Sequence, residues 1–198
     1  MAEDVVGRLA TLLSDGTPSD REQALRELCS LANHFDAEAR QRNVAAMLAA
    51  GLVEPLVATI REGSAQNREP AAGALRGASG QDGRPGTDEH GTFASVRSEM
   101  WKAHAVDPLV ALLSEGTAEG QEHAAGALRN LMVRTDDLQA IARAGAVQPL
   151  LALLREGTDG CKMQAAPALC NLALDPESKP AIDEGLQQAG WSLAPVRK

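Results

Sequence analysis

The chain has no tyrosine, and only two phenylalanines and two tryptophans among its 198 residues. Aromatic and β-branched side chains supply most strands, so their scarcity argues against a sheet protein. Cysteine is sparse as well, with three residues, an odd number without paired spacing. That excludes a disulfide framework and suits free thiols in a reducing compartment, cytosolic or nuclear. Basic charge is not in excess: 19 Lys and Arg face 27 Asp and Glu, a formal net charge of −8. Nucleic-acid binding needs a basic face that displaces counterions, so that class is set aside. The acidity is read as solubility, with a basic partner as the alternative. Long hydrophobic runs are missing too. The longest nearly apolar stretch, Val44 to Val53, has ten residues, too short to insert across a bilayer. The start, Met1-Ala2-Glu3-Asp4, is acidic and carries no secretory pattern.

What is abundant is alanine and leucine, arranged in a repeat. The phrase Gly116-Thr117-Ala118 through Ala127-Leu128-Arg129-Asn130-Leu131 returns 41 residues later as Gly157-Thr158-Asp159 through Ala168-Leu169-Cys170-Asn171-Leu172. Each is preceded by a Val-x-Pro-Leu-x-x-Leu-Leu run. Aligning on the glycine after that run finds four copies, at Gly16, Gly63, Gly116 and Gly157. Three residues before each lies Leu13, Ile60, Leu113 or Leu154; seven before lies Leu9, Leu56, Leu109 or Leu150; twelve after lies Leu28, Leu75, Leu128 or Leu169. A period near 40 in a helical sequence means a stack of helical repeats.

Within a copy, a short Leu-rich helix opens near Pro55, Pro108 or Pro149, where the missing amide donor costs nothing. The glycine after it is read as a left-handed C-terminal cap. A longer helix follows, roughly 20–33, 66–78, 119–133 and 161–174, with Ala and Gly spaced for close approach of a neighbouring helix. Pro167, well inside the last of these, predicts a kink or a late start. A third, short helix is expected at Glu38–Ala50 and Asp136–Ala144, each followed by a glycine. Segment 79–92, rich in Gly, Pro and charge, reads as a mobile surface insertion before a helix at Phe93–His104, with a binding loop as the alternative. This gives a single domain, 1–198, with copies at about 1–50, 51–78, 93–133 and 134–174 and a C-terminal cap at 175–198. Trp101 and Trp191 read as cover for exposed core at the altered copy and the stack end. A contact role is the rival for Trp191.

Three helices per copy, Gly-Ala-Val-x-Pro-Leu-Leu-x-Leu-Leu, then Ala-Ala-x-Ala-Leu-x-Asn-Leu: this resembles the armadillo repeat. The resemblance implies an all-α, right-handed α-solenoid whose third helices line a concave groove that holds an extended partner segment. The implied groove residues are Gln23, Arg26, Ser30, Pro70, Gly73, Gly77, His123, Gly126, Asn130, Gln164, Pro167 and Asn171. The importin alpha proteins of this family read basic peptides with a Trp and an Asn one helical turn apart. Here Asn130 and Asn171 occupy the Asn position, while Gly126 and Pro167 stand where Trp would be. Asn130 and Asn171 are expected either to clasp a peptide backbone or to bond a neighbouring repeat. Glu22, Glu69 and Glu122 share one register and form a possible acidic ladder, or simply favour a helix start.

No phosphate loop, dinucleotide fingerprint, nucleophile elbow or His-Glu-x-x-His pair occurs. The four histidines (34, 90, 104, 123) fall in different copies, so neither a metal site nor a cofactor is expected. The expectation is a non-catalytic protein-binding or scaffold module. Its alternatives are a structural subunit buried in a larger assembly and, further off, an import adaptor. Oligomeric state is left open by the sequence.

Overall fold

The computed structural model describes residues 2–80 and 91–189, and all regular structure in them is helical. The helices are α1 (Ala2–Asp15), α2 (Pro18–Ala32), α3 (Ala37–Ala49), α4 (Val53–Glu62), α5 (Ala65–Ala78), α6 (Thr92–Lys102), α7 (Val106–Glu115), α8 (Ala118–Leu131), α9 (Thr135–Arg143), α10 (Val147–Glu156), α11 (Asp159–Leu172) and α12 (Lys179–Gln188). The long third helices α2, α5, α8 and α11 stack side by side, each on its predecessor, in the most extensive packing of the molecule. Each also packs on the short Leu-rich helix of its own copy: α1, α4, α7 and α10. The periodic leucines explain both layers. Leu9, Leu56, Leu109 and Leu150 point inward from the short helices and Leu28, Leu75, Leu128 and Leu169 from the long ones, all at most 1 % exposed. Burying a Leu side chain contributes about 1.5–3 kcal/mol, so the repeated offsets supply the core of every copy. No single described helix is long and apolar enough to cross a membrane.

The third helices begin where hydroxyls cap them. The side chains of Thr17, Thr117 and Thr158 accept from the backbone amides of Asp20, Gly120 and Cys161 at 3.3, 3.1 and 3.3 Å. The preceding glycines are not left-handed caps. Gly63, Gly116 and Gly157 are extended, at φ −72, −78 and −71°. Glycine is needed there for another reason: a Cβ would lie 2.6 Å from the Leu112 carbonyl oxygen at Gly116 and 2.5 Å from that of Leu153 at Gly157. Left-handed glycines occur instead at Gly80 (φ 106°) and, after the short connecting helices α3 and α9, at Gly51 (φ 66°) and Gly145 (φ 87°). After α6 the same place is taken by His104 at φ 55°. A side chain resists that conformation by roughly 1–2 kcal/mol. Replacing exposed His104 with glycine should therefore raise stability by about 1 kcal/mol, read as a higher denaturation midpoint.

Helix α11 runs unbroken from Asp159 across Pro167, so the expected late start is not found, and α5 likewise continues across Pro70. The insertion begins later than its composition implied. Ser79 is fully buried and its hydroxyl donates to the Arg76 carbonyl at 3.0 Å. Residues 81–90, including Arg84, and Trp191 in the cap lie outside the described residues. Within the cap, α12 sits on α10 as α3 sits on α1 and α6 on α4. It buries Ile182 and Leu186, and Gly185 abuts the Leu151 side chain. Trp101 is half-buried against the core, in keeping with a covering role.

Candidate functional site

The third-helix layer carries the twelve groove residues, and the structure separates them into two groups. Pro70, Gly73, Gly77, Gly126, Asn130 and Gln164 are buried, so as a set they are not an open surface. Their burial follows from how closely the third helices approach. A Cβ on Gly73 would lie 2.5 Å from Cys29 Sγ and 2.9 Å from the His123 ring. One on Gly77 would lie 2.6 Å from the Ala32 carbonyl oxygen, and one on Gly126 2.7 Å from Arg76 Cδ. Gln23, Arg26, Ser30 and Pro167 are exposed, and His123 and Asn171 half-buried.

Asn130 does not face an incoming peptide with its amide. Its Nδ2 donates to the Arg76 carbonyl at 3.0 Å, to Ser79 Oγ at 3.2 Å and to the Gly80 carbonyl, tying α8 to the end of the preceding copy. Asn33 performs the same service one copy earlier, donating to the Gly73 carbonyl at 2.9 Å. Asn171, in the register of Asn130, has a buried Nδ2 with no hydrogen-bond partner among the described residues.

The acidic ladder keeps its register, but each rung has an internal partner. Glu22 pairs with Arg26 at 2.5 Å, Glu69 accepts from the Thr117 hydroxyl, and Glu122 pairs with Arg76 at 3.0 Å. Spacing within one helix could not show that Arg76 and Thr117 come from neighbouring copies.

One depression does open in this layer. It has a volume of about 580 Å³ and lies between α2, α5 and α8. Arg26 and Ser30 line it from α2, Glu69 and Pro70 from α5, and Glu119 and His123 from α8, with Cys29 at its floor. Cys29, Glu119, Gln66 and Thr117 were not among the sequence candidates. The signal for them was the phrase Gly-Thr-Ala-Glu, which puts both Thr117 and Glu119 at the start of a third helix.

The imidazole of His123 accepts from Arg76 through Nδ1 at 3.1 Å, and its Nε2 lies 3.6 Å from Glu119. Burial, then the Arg76 guanidinium, lowers its pKa from the ordinary 6.5. Burial, then the Glu119 carboxylate, raises the Cys29 thiol. A neutral imidazole beside a protonated thiol is the reverse of an activated nucleophile pair. The histidine also sets a pH dependence. Its folded-state pKa lies below its unfolded value, so its contribution is complete above pH 6.5 and is lost as pH falls. Melting temperature should drop between pH 7.5 and about 5.5, and His123→Gln should flatten that slope. The depressed Asp20 and Asp175 carboxyls, each held by a Thr or Ser hydroxyl, act only near and below their ordinary 3.8.

Among known proteins, the family model of the armadillo/beta-catenin-like repeat matches residues 94–133 and 135–174. No curated protein sequence matches the chain. Among solved structures, a designed armadillo repeat protein in complex with the peptide (KR)4 superimposes with a TM-score of 0.70 at 21 % identity, covering 91 % of this chain and 70 % of its own. An engineered protein gives 0.69 at 29 % identity, covering 93 % and 68 %. A computationally designed armadillo repeat protein for modular peptide recognition gives 0.63 at 19 %, covering 92 % and 91 %. Residues 94–133 and 135–174 match the armadillo repeat, and the twelve helices of the described residues superimpose on these structures, so the fold is an all-α solenoid of the armadillo type.

Proposed function

We propose that the chain is a non-catalytic binding module that holds an extended segment of a partner protein along its third-helix layer, with a Lys or Arg side chain of that segment in the depression between α2, α5 and α8. The observation that carries this is the depression itself, lined by Glu69 and by Glu119, whose side chain is 68 % exposed. In the armadillo fold this layer is the concave side. Third helices stack roughly 8–10 Å apart, about three residues of extended chain at roughly 3.3 Å each, so a bound segment meets a new helix at every third residue. A designed armadillo repeat protein of the same fold was solved in complex with the peptide (KR)4, which supports a partner segment carrying Lys and Arg. An importin-type reading has less support, because Gly126 and Pro167 stand at the Trp positions and Asn130 is engaged within the scaffold. A cytosolic or nuclear setting suits the three free thiols.

The test is titration of a fluorescent (Lys-Arg)4 peptide at low and moderate salt. Binding should weaken with ionic strength, and Glu119→Lys should weaken it roughly tenfold, the equivalent of about 1.4 kcal/mol. Affinity that ignores both changes overturns the groove reading. The subunit alternative is favoured by a different observation, the exposure of Met163 and Leu174 among the described residues.

A further inference from the structure

The registers that build the depression between α2, α5 and α8 recur one copy on, between α5, α8 and α11, with different residues in them. Cys29, at the floor of the depression, lies thirteen residues after Gly16, and Arg76 lies thirteen after Gly63. Glu69 and Glu119 correspond in the same way to Glu122 and Gly160. The Arg76 side chain crosses onto α8 where Gly126 leaves room. A Cβ on Gly126 would lie 2.7 Å from Arg76 Cδ and 3.0 Å from its Nε. The guanidinium reaches Glu122 at 3.0 Å and His123 Nδ1 at 3.1 Å. Arg76 and Glu122 are only 21 % and 28 % exposed, so the two charges are neutralised within the scaffold. Glu122 also reaches α11, where its carboxylate stands in the place a Cβ on Gly160 would take. The exposed carboxylate of Glu119 has no counterpart in this register, because Gly160 carries no side chain.

We infer that Arg76 fills, from within the protein, the register where a second basic side chain of the partner would sit, and so limits the bound segment to one Lys or Arg in these two registers. This rests on the groove reading and adds a spacing rule to it. Neighbouring third helices lie roughly 8–10 Å apart, so the residue that faces Arg76 is about the third from the one in the depression. A Lys or Arg at that position meets a guanidinium in place of an open carboxylate, and like charges at close range repel. Drawing Glu122 away instead would strand Arg76 half-buried without its partner, which costs more than a new surface pair returns. The net charge of −8 attracts basic segments in general, but it does not select a spacing. Arg76 does.

Two fluorescent peptides of identical composition test this. Each carries two lysines in a Gly-Ser chain, about three residues apart in one and about nine in the other, a span that carries the second lysine past α11. The parent chain should bind both with affinities within about twofold of each other. Arg76→Ala releases Glu122 and should favour the three-residue spacing by roughly fivefold, the upper end for a partly exposed ion pair. Arg76→Met keeps an aliphatic stem over Gly126 and removes the charge, so it should shift the preference the same way with an unchanged circular dichroism spectrum. A parent chain that already favours the three-residue spacing severalfold overturns the inference. So do folded Arg76 variants that remain indifferent to spacing. If Glu119→Lys weakens both peptides while the Arg76 variants stay indifferent, the groove reading stands and only the spacing rule falls. If Glu119→Lys changes neither, both fall together.

Discussion

Replacing Gly77 with alanine should cost about 3 kcal/mol of stability, at the upper end of what overpacking a core produces. The added methyl would sit 2.6 Å from the Ala32 carbonyl oxygen and 2.7 Å from its carbon. Both atoms belong to the backbone of α2, so no side-chain rotation relieves the contact. The helix must move, and with it the Asn33 amide that holds the Gly73 carbonyl. The control is the same substitution at Gly7, in the interior of α1 with nothing within 4 Å of the new Cβ. There only backbone entropy changes, and alanine should stabilise by about 0.5–1 kcal/mol. Chemical denaturation of the two variants should thus move the midpoint in opposite directions. Equal shifts of one sign would mean that the spacing between α2 and α5 is looser than the structure has it.

Asn130→Ala should lower stability by about 2–3 kcal/mol, because buried acceptors lose their donor in a place water does not reach. The Gly80 carbonyl and the Ser79 hydroxyl accept from this amide, and the Arg76 carbonyl accepts from it as well as from the Ser79 hydroxyl. Asn171→Ala, at the equivalent position one copy on, removes an Nδ2 that bonds nothing among the described residues. It should change stability by less than about 0.5 kcal/mol. Thermal melts of the two single variants check this directly. A large loss from Asn171→Ala, or none from Asn130→Ala, would reverse the assignment of scaffold and surface. The same pair bears on binding. Loss of peptide affinity in Asn171→Ala without loss of stability would place that amide in the groove, a role Asn130 cannot take while it bonds the preceding copy.

The fold was legible because its cause is local and repeated. Leucines at three fixed offsets from four glycines can be buried together only by helices stacked in the same order each time. Helix limits followed to within a few residues, since Pro, Gly and the change of period all act along the chain. One local reading failed for a reason that also lies in the backbone. The glycines after the Leu-rich helices are extended because the carbonyl four residues earlier occupies the place of a Cβ, and the left-handed positions among the described residues are Gly51, Gly80, His104 and Gly145 instead. Both conformations favour glycine, so residue identity alone does not separate them. Pro167 proved compatible with an unbroken α11.

The candidate site was only half legible. Register along one helix says which residues share a stripe, and the acidic rungs and the asparagines do share theirs. It does not say how near the next helix comes. At an interaxial distance small enough to bury Gly73, Gly77 and Gly126, much of the nominal groove stripe becomes the seam between repeats, and only residues beside the seam stay open. Sequence by itself therefore determined the all-α solenoid and its period, because those follow from hydrophobic spacing and chain geometry. Tertiary structure alone decided that Asn130 belongs to the scaffold and that Glu69, Glu119 and His123 meet around one depression. Each of these depends on distances between residues some 48 to 54 positions apart.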